Sequence, residues 1–273
     1  MPRSTTPSLA SLAEPSLNPR QALIVERAQA DGFVSIEALT EALDVTPQTI
    51  RRDINVLCEQ GILRRYHGGA SLVTNTRNVD YEARRQMMAA EKAAIGRLVA
   101  QHIPDGASLF LNIGTTTEAV ARALLNHRGL RIITNNINVA VLLSQGHDFE
   151  ITIAGGRVRL NDLAVVGEAA IDFINQFKVD FGVIGISGID PDGTLLDFDF
   201  REVKVAQTII SNARTVFLAT DYSKFGRRAM VKLGHVSLLD ALFIDRMPPP
   251  AFADLLRQER VAVHVADPSA DAP

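Results

Sequence analysis

Gly114 is followed by three threonines at the end of a short apolar run. The run, residues 108–113, is nearly continuous in apolar side chains, which predicts a buried strand. A helix is predicted to begin near Glu118, so the loop before it would present backbone N–H groups and hydroxyls at a helix N-terminus, where phosphate groups bind well. The loop lacks the Gly-Lys-Ser/Thr ending of a P-loop and does not match a dinucleotide-binding fingerprint. It therefore predicts a site for a small phosphorylated ligand.

Three further clusters rich in glycine or polar residues follow predicted strands, at residues 134–136, 154–156 and 221–226. Open α/β sheets bind ligands beyond the carboxyl ends of their strands. One such cluster alone is more typical of ordinary turn chemistry, but four at the strand ends of one sheet favour a binding site. The residues expected to bind the ligand are Gly114, Thr115, Thr116, Thr117, Thr134, Asn135, Asn136, Gly155, Gly156, Glu202, Asp221 and Lys224.

Three charged side chains in this set have expected roles. Lys224 could neutralise a phosphate group and Asp221 could orient that lysine or the ligand. Glu202 could hydrogen-bond to ligand hydroxyls, although a charged, solvent-facing helix start explains this residue about equally well.

A second constellation, near the N-terminus, predicts DNA reading. Thr46 and Pro47 form a pair typical of a helix N-terminus, because threonine caps free N–H groups and proline has none to satisfy. Apolar residues of the helix that follows recur at spacings of four and three, which places Gln48 and Arg52 on the opposite face. A shorter helix is predicted over residues 36–43, with a tight turn between the two. This is the helix-turn-helix geometry, whose second helix enters the major groove.

Residues 61–69 add a basic strand and a glycine turn, which predict a wing. Arginine in a wing would contact DNA phosphates, whereas Arg52 could pair with guanine and Gln48 with adenine. The alternative is a solvated helix face beside a basic hairpin with no partner. Residues 46–70 carry four arginines against one aspartate and one glutamate, so the geometry supports the prediction more than the charge does. The expected DNA-binding residues are Thr46, Gln48, Thr49, Arg51, Arg52, Arg64, Arg65 and His67.

The elements needed to position these residues predict two domains. Apolar runs at residues 108–113, 130–134, 149–153, 181–186, 216–219, 241–244 and 261–265 alternate with segments of helical spacing. Such alternation is typical of a largely parallel sheet covered on both faces. We expect an α/β fold class: a disordered tail over residues 1–18, a winged helix-turn-helix over 19–72, a linker over 73–90 and a larger α/β sensor domain over 91–267.

The composition limits the classes of function. The 273 residues carry a net charge of −3, so any nucleic-acid binding must come from a local basic face. Cys58 is the single cysteine, which excludes an intramolecular disulfide and argues against a cysteine-based zinc site. No apolar run is long enough to span a bilayer, and the first residues lack the apolar centre of a signal peptide. We therefore expect a cytoplasmic protein without metal, cofactor or membrane partner.

The segments TPQTIRRDI, residues 46–54, and LRRYHGGA, residues 63–70, closely resemble the N-terminal signature of the DeoR family of repressors. The resemblance extends over about residues 20–265. It implies a sensor domain similar in fold to sugar-phosphate isomerases, a phosphorylated sugar or polyol as ligand, and a dimer or tetramer. Within the family, GISGID at residues 185–190 and SKFGR at residues 223–227 imply glycerol 3-phosphate as the effector.

These observations predict a transcriptional repressor that a small phosphorylated metabolite releases from operator DNA, and not an enzyme. A response to another sugar phosphate, or activation in place of repression, remains open. A less favoured alternative is a sugar-phosphate isomerase with a DNA-binding module, in which Glu202 or Asp221 would shuttle a proton. Glycerol 3-phosphate, however, has no carbonyl beside which a proton becomes acidic.

Overall fold

A computed structural model describes residues 17–31, 33–60, 62–66, 68–72 and 81–267. The chain forms two compact units, which divide between Asn75 and Thr76. Most of the predicted tail and the first part of the predicted linker lie outside the described residues.

The first unit is a winged helix-turn-helix, as predicted. Its elements are α1 Pro19–Asp31, β1 Phe33–Ser35, α2 Ile36–Leu43, α3 Pro47–Glu59, β2 Leu63–Tyr66 and β3 Gly69–Leu72. The three strands form an antiparallel sheet in the order β1-β3-β2. Ile24, Ile50, Ile54 and Leu57 are fully or almost fully buried, so α1 and α3 supply much of the core of this unit.

Asn18, which the sequence placed at the end of the tail, belongs to the folded unit. Its side chain accepts a hydrogen bond from the Gln21 backbone N–H at 2.8 Å, and the Gln21 side chain accepts one from the Asn18 N–H at 3.2 Å. This reciprocal pair satisfies donors that the start of α1 would otherwise leave free.

The second unit is an α/β domain. Its elements are α4 Tyr81–Gln86, α5 Ala89–Gln101, β4 Ser108–Leu111, α6 Thr115–Leu124, β5 Arg131–Thr134, α7 Ile137–Leu143, β6 Glu150–Ile153, β7 Arg157–Arg159, β8 Ala164–Val166, α8 Glu168–Ile174, β9 Val179–Ile184, β10 Gly188–Ile189, β11 Thr194–Asp197, α9 Phe200–Asn212, β12 Ala213–Ala219, β13 Val231–His235, β14 Ala241–Ile244, α10 Pro250–Gln258 and β15 Ala262–Val265.

A parallel sheet of seven strands organises this unit, in the order β15-β14-β12-β9-β4-β5-β6. Successive residues of β4 point to opposite faces: Leu109 and Leu111 pack with α5 and α6, and Phe110 packs with α8 and α9. Apolar cores therefore lie on both faces, which explains why the strands are nearly continuous in apolar residues. The carboxyl ends of β4, β5 and β12 share one edge.

The second half of the predicted linker over residues 73–90 contains helical structure. Residues 81–86 form α4, and α5 begins at Ala89. The segment makes polar contacts within the second unit. The Tyr81 hydroxyl lies 2.6 Å from a carboxylate oxygen of Glu118, and the Lys92 ammonium donates to the Met87 carbonyl at 2.6 Å. A polar composition was mistaken for an absence of structure.

Candidate DNA-binding and effector sites

The turn between α2 and α3 is set by local hydrogen bonds. The Ser35 side chain accepts from the Ala38 N–H at 3.0 Å and caps α2. Asp44 then ends α2 in the left-handed conformation, with φ of 50°. The Thr46 hydroxyl accepts from the Thr49 N–H at 3.3 Å and caps α3, whose first residue is Pro47 as predicted. The two helices of the predicted helix-turn-helix are thus closely spaced.

One face of α3 is buried and the other is exposed. Ile50 and Ile54 have exposed fractions of 0% and 1%, whereas Gln48, Arg51 and Arg52 are exposed. Thr46 is also exposed, and Thr49 is half-buried. The side chains that could meet base edges or phosphates therefore face solvent.

Asp53 is an acidic residue on the buried face of α3. It accepts from Arg20 Nε at 2.5 Å and from Gln21 Nε2 at 3.4 Å, so it joins α3 to α1. This ion pair fixes the position of α3 from its buried face.

The wing is the hairpin of β2 and β3, which turns at Gly68 with φ of +84°. Arg65 is exposed, and its guanidinium donates a hydrogen bond to the Asn55 side chain on α3. Arg64 lies on β2, and His67 lies outside the described residues. DNA contact by any of the eight predicted residues stays a prediction.

The predicted phosphate loop adopts a conformation that favours glycine. Gly114 precedes α6 with φ of +138°, and a Cβ there would lie 3.3 Å from the Thr117 hydroxyl. Thr117 is fully buried and donates to the Gly114 carbonyl at 2.7 Å. The hydroxyl proton of Thr117 is therefore already used within the turn. Thr116 is buried too. Thr115 is half-buried and lines a cavity, so the backbone N–H groups and Thr115 are the parts of this loop best suited to a ligand.

The residues at the end of β5 mainly hold neighbouring elements together. Thr134 donates to the Leu111 carbonyl at 2.7 Å. The Asn136 amide donates to Glu118 at 3.1 Å, and its oxygen caps α7. Asn135 donates to the Val165 carbonyl at 3.1 Å, but its buried side-chain oxygen has no partner among the described residues. Of the predicted trio, only Asn135 keeps a polar atom unused.

Gly155 and Gly156 precede the β7–β8 hairpin and are exposed. Gly156 has φ of +147°, and a Cβ there would lie 3.1 Å from a Val165 methyl group. The turn into the hairpin therefore explains the glycine at position 156, and ligand contact by either glycine stays a prediction.

Asp221, which is buried, forms an ion pair after β12 with Lys224, whose side chain is 13% exposed, with 3.4 Å between Nζ and Oδ2. Burial opposes ionisation of Asp221, but the charges of Lys224 and Lys92 and hydrogen bonds from Ser223 outweigh it and lower the pKa of Asp221. Burial in turn lowers the pKa of Lys224, partly offset by Asp221. Two lysines therefore meet near one carboxylate.

Lys92 was missed by the sequence reasoning. It lies on α5 with 4% of its surface exposed, and its Nζ donates to the backbone carbonyls of Arg84 and Met87. Burial, and then the charge of Lys224, lower the pKa of Lys92 to about 8. The signal was available, because Lys92 falls three residues before Ile95 on the apolar face of α5. A lysine in such a position must find partners or a ligand.

A cavity of about 390 Å³ opens between α5 and α6. Thr115, Lys92 and Glu118 line it together, so the missed lysine and the start of α6 share one space. Three arginines also line this cavity: Arg85, Arg97 and Arg122. Among its described lining residues, positive charge predominates, which suits an anion.

Glu202 lies in an acidic cluster around Arg159 on β7. The guanidinium contacts Asp162 at 2.6 Å, Glu202 at 2.8 Å and Asp199 at 3.0 Å. Burial, followed by the nearby charge of Asp197, raises the pKa of Glu202 to about 8, although Arg159 opposes the rise. The Glu202 side chain is only 14% exposed and is held by Arg159, so a solvent-facing helix start does not describe it well.

Neither a metal cluster nor a membrane span is evident in the described ranges. No group of three or more His, Cys, Asp or Glu side chains there could hold a metal ion. None of the helices seen between residues 17 and 267, gaps apart, combines the length and the apolar character needed to cross a membrane.

A winged helix-turn-helix followed by an α/β domain with a cationic site at its sheet edge defines a class of protein: a DNA-binding regulator with its own ligand-sensing domain. Comparison with known families agrees. Residues 20–76 match the DeoR-like helix-turn-helix domain, and residues 87–246 match the DeoR C terminal sensor domain. The chain therefore belongs to the DeoR family of transcriptional repressors, which confirms the resemblance and the fold class predicted from the sequence.

Two named relatives and one solved structure illustrate the similarity. The glycerol-3-phosphate regulon repressor of Escherichia coli is 49% identical over 89% of this chain and 96% of its own length. The HTH-type transcriptional repressor CsqR of the same organism is 40% identical over 93% of this chain and 97% of its own length. Ribose 5-phosphate isomerase A from Neisseria gonorrhoeae has a TM-score of 0.36 at 12% identity, covering 53% of this chain and 55% of the isomerase.

Proposed function

We propose that this repressor releases its operator when glycerol 3-phosphate binds beside the start of α6. The observation that carries the proposal is the cavity that Lys92 shares with Thr115 at the start of α6, together with the positive charge of Lys224 acting on Lys92. The 49% identity to the glycerol-3-phosphate regulon repressor supports the identity of the effector.

The electrostatics favour a phosphate dianion over a neutral ligand. Lys92 and Lys224 repel each other, and the negative charge of Asp221 offsets part of this repulsion. A phosphate group with two negative charges would relieve this repulsion and accept hydrogen bonds from the backbone at Thr115. The hydroxyls of the glycerol part would then meet Asn135 and Glu202.

On the DNA side, we propose that Gln48 and Arg52 read bases from the exposed face of α3. Thr46, Thr49, Arg51, Arg64, Arg65 and His67 are proposed to contact phosphates. A single winged helix-turn-helix of this size contacts only a short half-site, so the chain would bind operator DNA as a dimer or tetramer. Repression of this kind takes place in the cytoplasm.

We also propose that the sensor domain has no catalytic role. Glu202 could in principle move a proton, but its carboxyl oxygen is bound by Arg159 at 2.8 Å. Incubation with ribose 5-phosphate and with glucosamine 6-phosphate, followed by product analysis, tests this part. Turnover that Glu202→Gln abolishes would contradict it.

The decisive experiment is an operator titration at fixed salt, because salt alone changes such affinities strongly. We expect glycerol 3-phosphate to weaken operator binding by about 5-fold to 150-fold, the usual range for allosteric coupling. Unphosphorylated glycerol should have no effect. A panel of sugar phosphates in parallel separates a different effector from no effector, and an unchanged operator affinity with all of them would refute the proposal.

Two variants divide the roles of the domains. Lys224→Ala should blunt release by the effector and leave operator affinity intact, with exposed Lys232→Ala as its control. Arg52→Ala should lower operator affinity by about 5-fold to 150-fold, the range for losing one good base contact, and leave effector affinity intact. Loss of both activities in Lys224→Ala would contradict this division.

A further inference from the structure

Helix α4 is the first element of the second unit, and residues 73–80 precede it in the chain. Its side chains and carbonyls reach residues of the candidate effector site. The Tyr81 hydroxyl lies 2.6 and 2.7 Å from the two carboxylate oxygens of Glu118. The Asn138 amide donates to the same hydroxyl at 2.9 Å. Glu118 follows Thr115, Thr116 and Thr117 in the first turn of α6, so the start of α4 is fixed to the start of α6.

The other end of α4 is held by Lys92. Its ammonium donates to the carbonyls of Arg84 and Met87, at 2.5 and 2.6 Å. Carbonyls at a helix C-terminus have no partner within the helix and carry partial negative charge, which suits a cation. Between the two ends, the Arg84 guanidinium lies 3.9 Å from Asp162.

Six residues are too few for a helix that is stable by itself. The position of α4 therefore depends on contacts such as these three. Two of the three groups that make them, Lys92 and Glu118, line the cavity beside the phosphate loop. A ligand anion in that cavity would compete with the α4 carbonyls for Lys92 and would repel the Glu118 carboxylate.

We propose that α4 is the element that converts effector binding into a change in operator affinity, an inference that rests on the proposed effector site. In the effector-free protein, Lys92 and Glu118 hold α4 in place. A bound phosphate takes the Lys92 ammonium from the α4 carbonyls and displaces Glu118 from Tyr81. Helix α4 then loosens. In the chain it directly follows residues 73–80, which connect it to the DNA-reading unit.

Hydrogen–deuterium exchange of the full chain tests this with the native protein. With glycerol 3-phosphate, we expect slower amide exchange at residues 114–118, where the ligand binds, and at least threefold faster exchange at residues 81–88. Slower or unchanged exchange in α4, together with protection at 114–118, would overturn the α4 inference and leave the proposed effector site standing. No protection at 114–118 and no release of DNA would overturn both.

Tyr81→Phe provides a second test, because it removes only the hydroxyl that contacts Glu118. Without effector, operator affinity should fall about tenfold, the scale of one hydrogen bond to a charged group. Effector affinity should rise by a similar factor, because less α4 structure remains to be broken. Ser144→Ala removes an exposed hydroxyl bond at the end of α7 and serves as the control. Unchanged operator and effector affinities in Tyr81→Phe would contradict the proposal.

Discussion

Lys92→Met tests what the buried ammonium of Lys92 costs the fold. Methionine has a similar length and no charge. The pKa of Lys92 is lowered from the ordinary value of 10.5 to about 8. At about 1.4 kcal/mol for each pKa unit, the charged form is about 3 kcal/mol less stable in the folded chain than in the unfolded chain. Below pH 8 this whole cost is present.

The sign of the pH dependence follows from that difference. Between about pH 8 and pH 10.5, folded Lys92 has lost its proton, while unfolded Lys92 still binds it. The unfolded state binds more protons, so this residue makes the free energy of unfolding rise with pH through that window. Methionine does not titrate. The wild-type free energy of unfolding, minus that of Lys92→Met, should therefore increase by about 2 to 3 kcal/mol between pH 7 and pH 10.5.

Urea denaturation followed by circular dichroism, repeated across this pH range, measures the difference. Titratable groups distant from Lys92 are the same in both proteins, so their contributions cancel. Lys232→Met, which replaces an exposed lysine on β13, should give a curve parallel to that of the wild type. If the Lys92→Met curve is also parallel, Lys92 does not titrate in this window and the reasoning about its burial is wrong.

Two further substitutions test the packing around each site. A Cβ at Gly96 would lie 2.5 Å from the Ala119 carbonyl oxygen, so Gly96→Ala should force α5 and α6 apart and destabilise the sensor unit by about 1–3 kcal/mol in urea denaturation. Gly155→Ala, which meets nothing within 4 Å, is the neutral control, and equal stability of both variants would count against the close helix contact. Thr46→Ala removes the cap that accepts from Thr49 and should destabilise the reading unit by about 1 kcal/mol. Its amide exchange should accelerate at the start of α3, and an unchanged rate would show that the cap contributes nothing.

The parallel sheet was predictable because burial on both faces leaves a strong trace in the sequence. Each of its seven strands overlaps one of the seven apolar runs, and β14 matches residues 241–244 to the residue. The helix-turn-helix was predictable for a local reason, since Thr46 and Pro47 fix where α3 begins. Patterns that depend on neighbours in sequence were thus recovered well.

The small antiparallel sheet of β10, β11 and β13 and the β7–β8 hairpin were not predicted. Their strands have two to five residues, which is too short for a clear period. Their partners are also set by distant residues, as in the pairing of Thr194 with His235. Tertiary contacts decide such elements, and a single sequence does not reveal them.

The candidate effector site was recovered only in part, for a similar reason. The sequence located the glycine-threonine loop and Lys224, which follow strands of the sheet. It could not show that the Thr117 hydroxyl is used within its own turn. Tyr81 and Lys92 come from segments before β4, and only the fold places them near Glu118. The polar residues before α5 were interpreted as a linker because their partners are distant in sequence.

The cost of burying Lys92 suggests why a regulator would keep this residue. Its charge destabilises the folded chain by about 3 kcal/mol below pH 8, and a methionine would avoid that penalty. Allosteric coupling free energies are commonly about 1–3 kcal/mol, which is of the same order. A phosphate beside Lys92 and Lys224 supplies negative charge in addition to that of Asp221, so the penalty falls when the effector binds. An effector can shift an equilibrium only by binding one state more tightly than the other. The effector anion therefore stabilises the state in which Lys92 binds the phosphate in place of the α4 carbonyls.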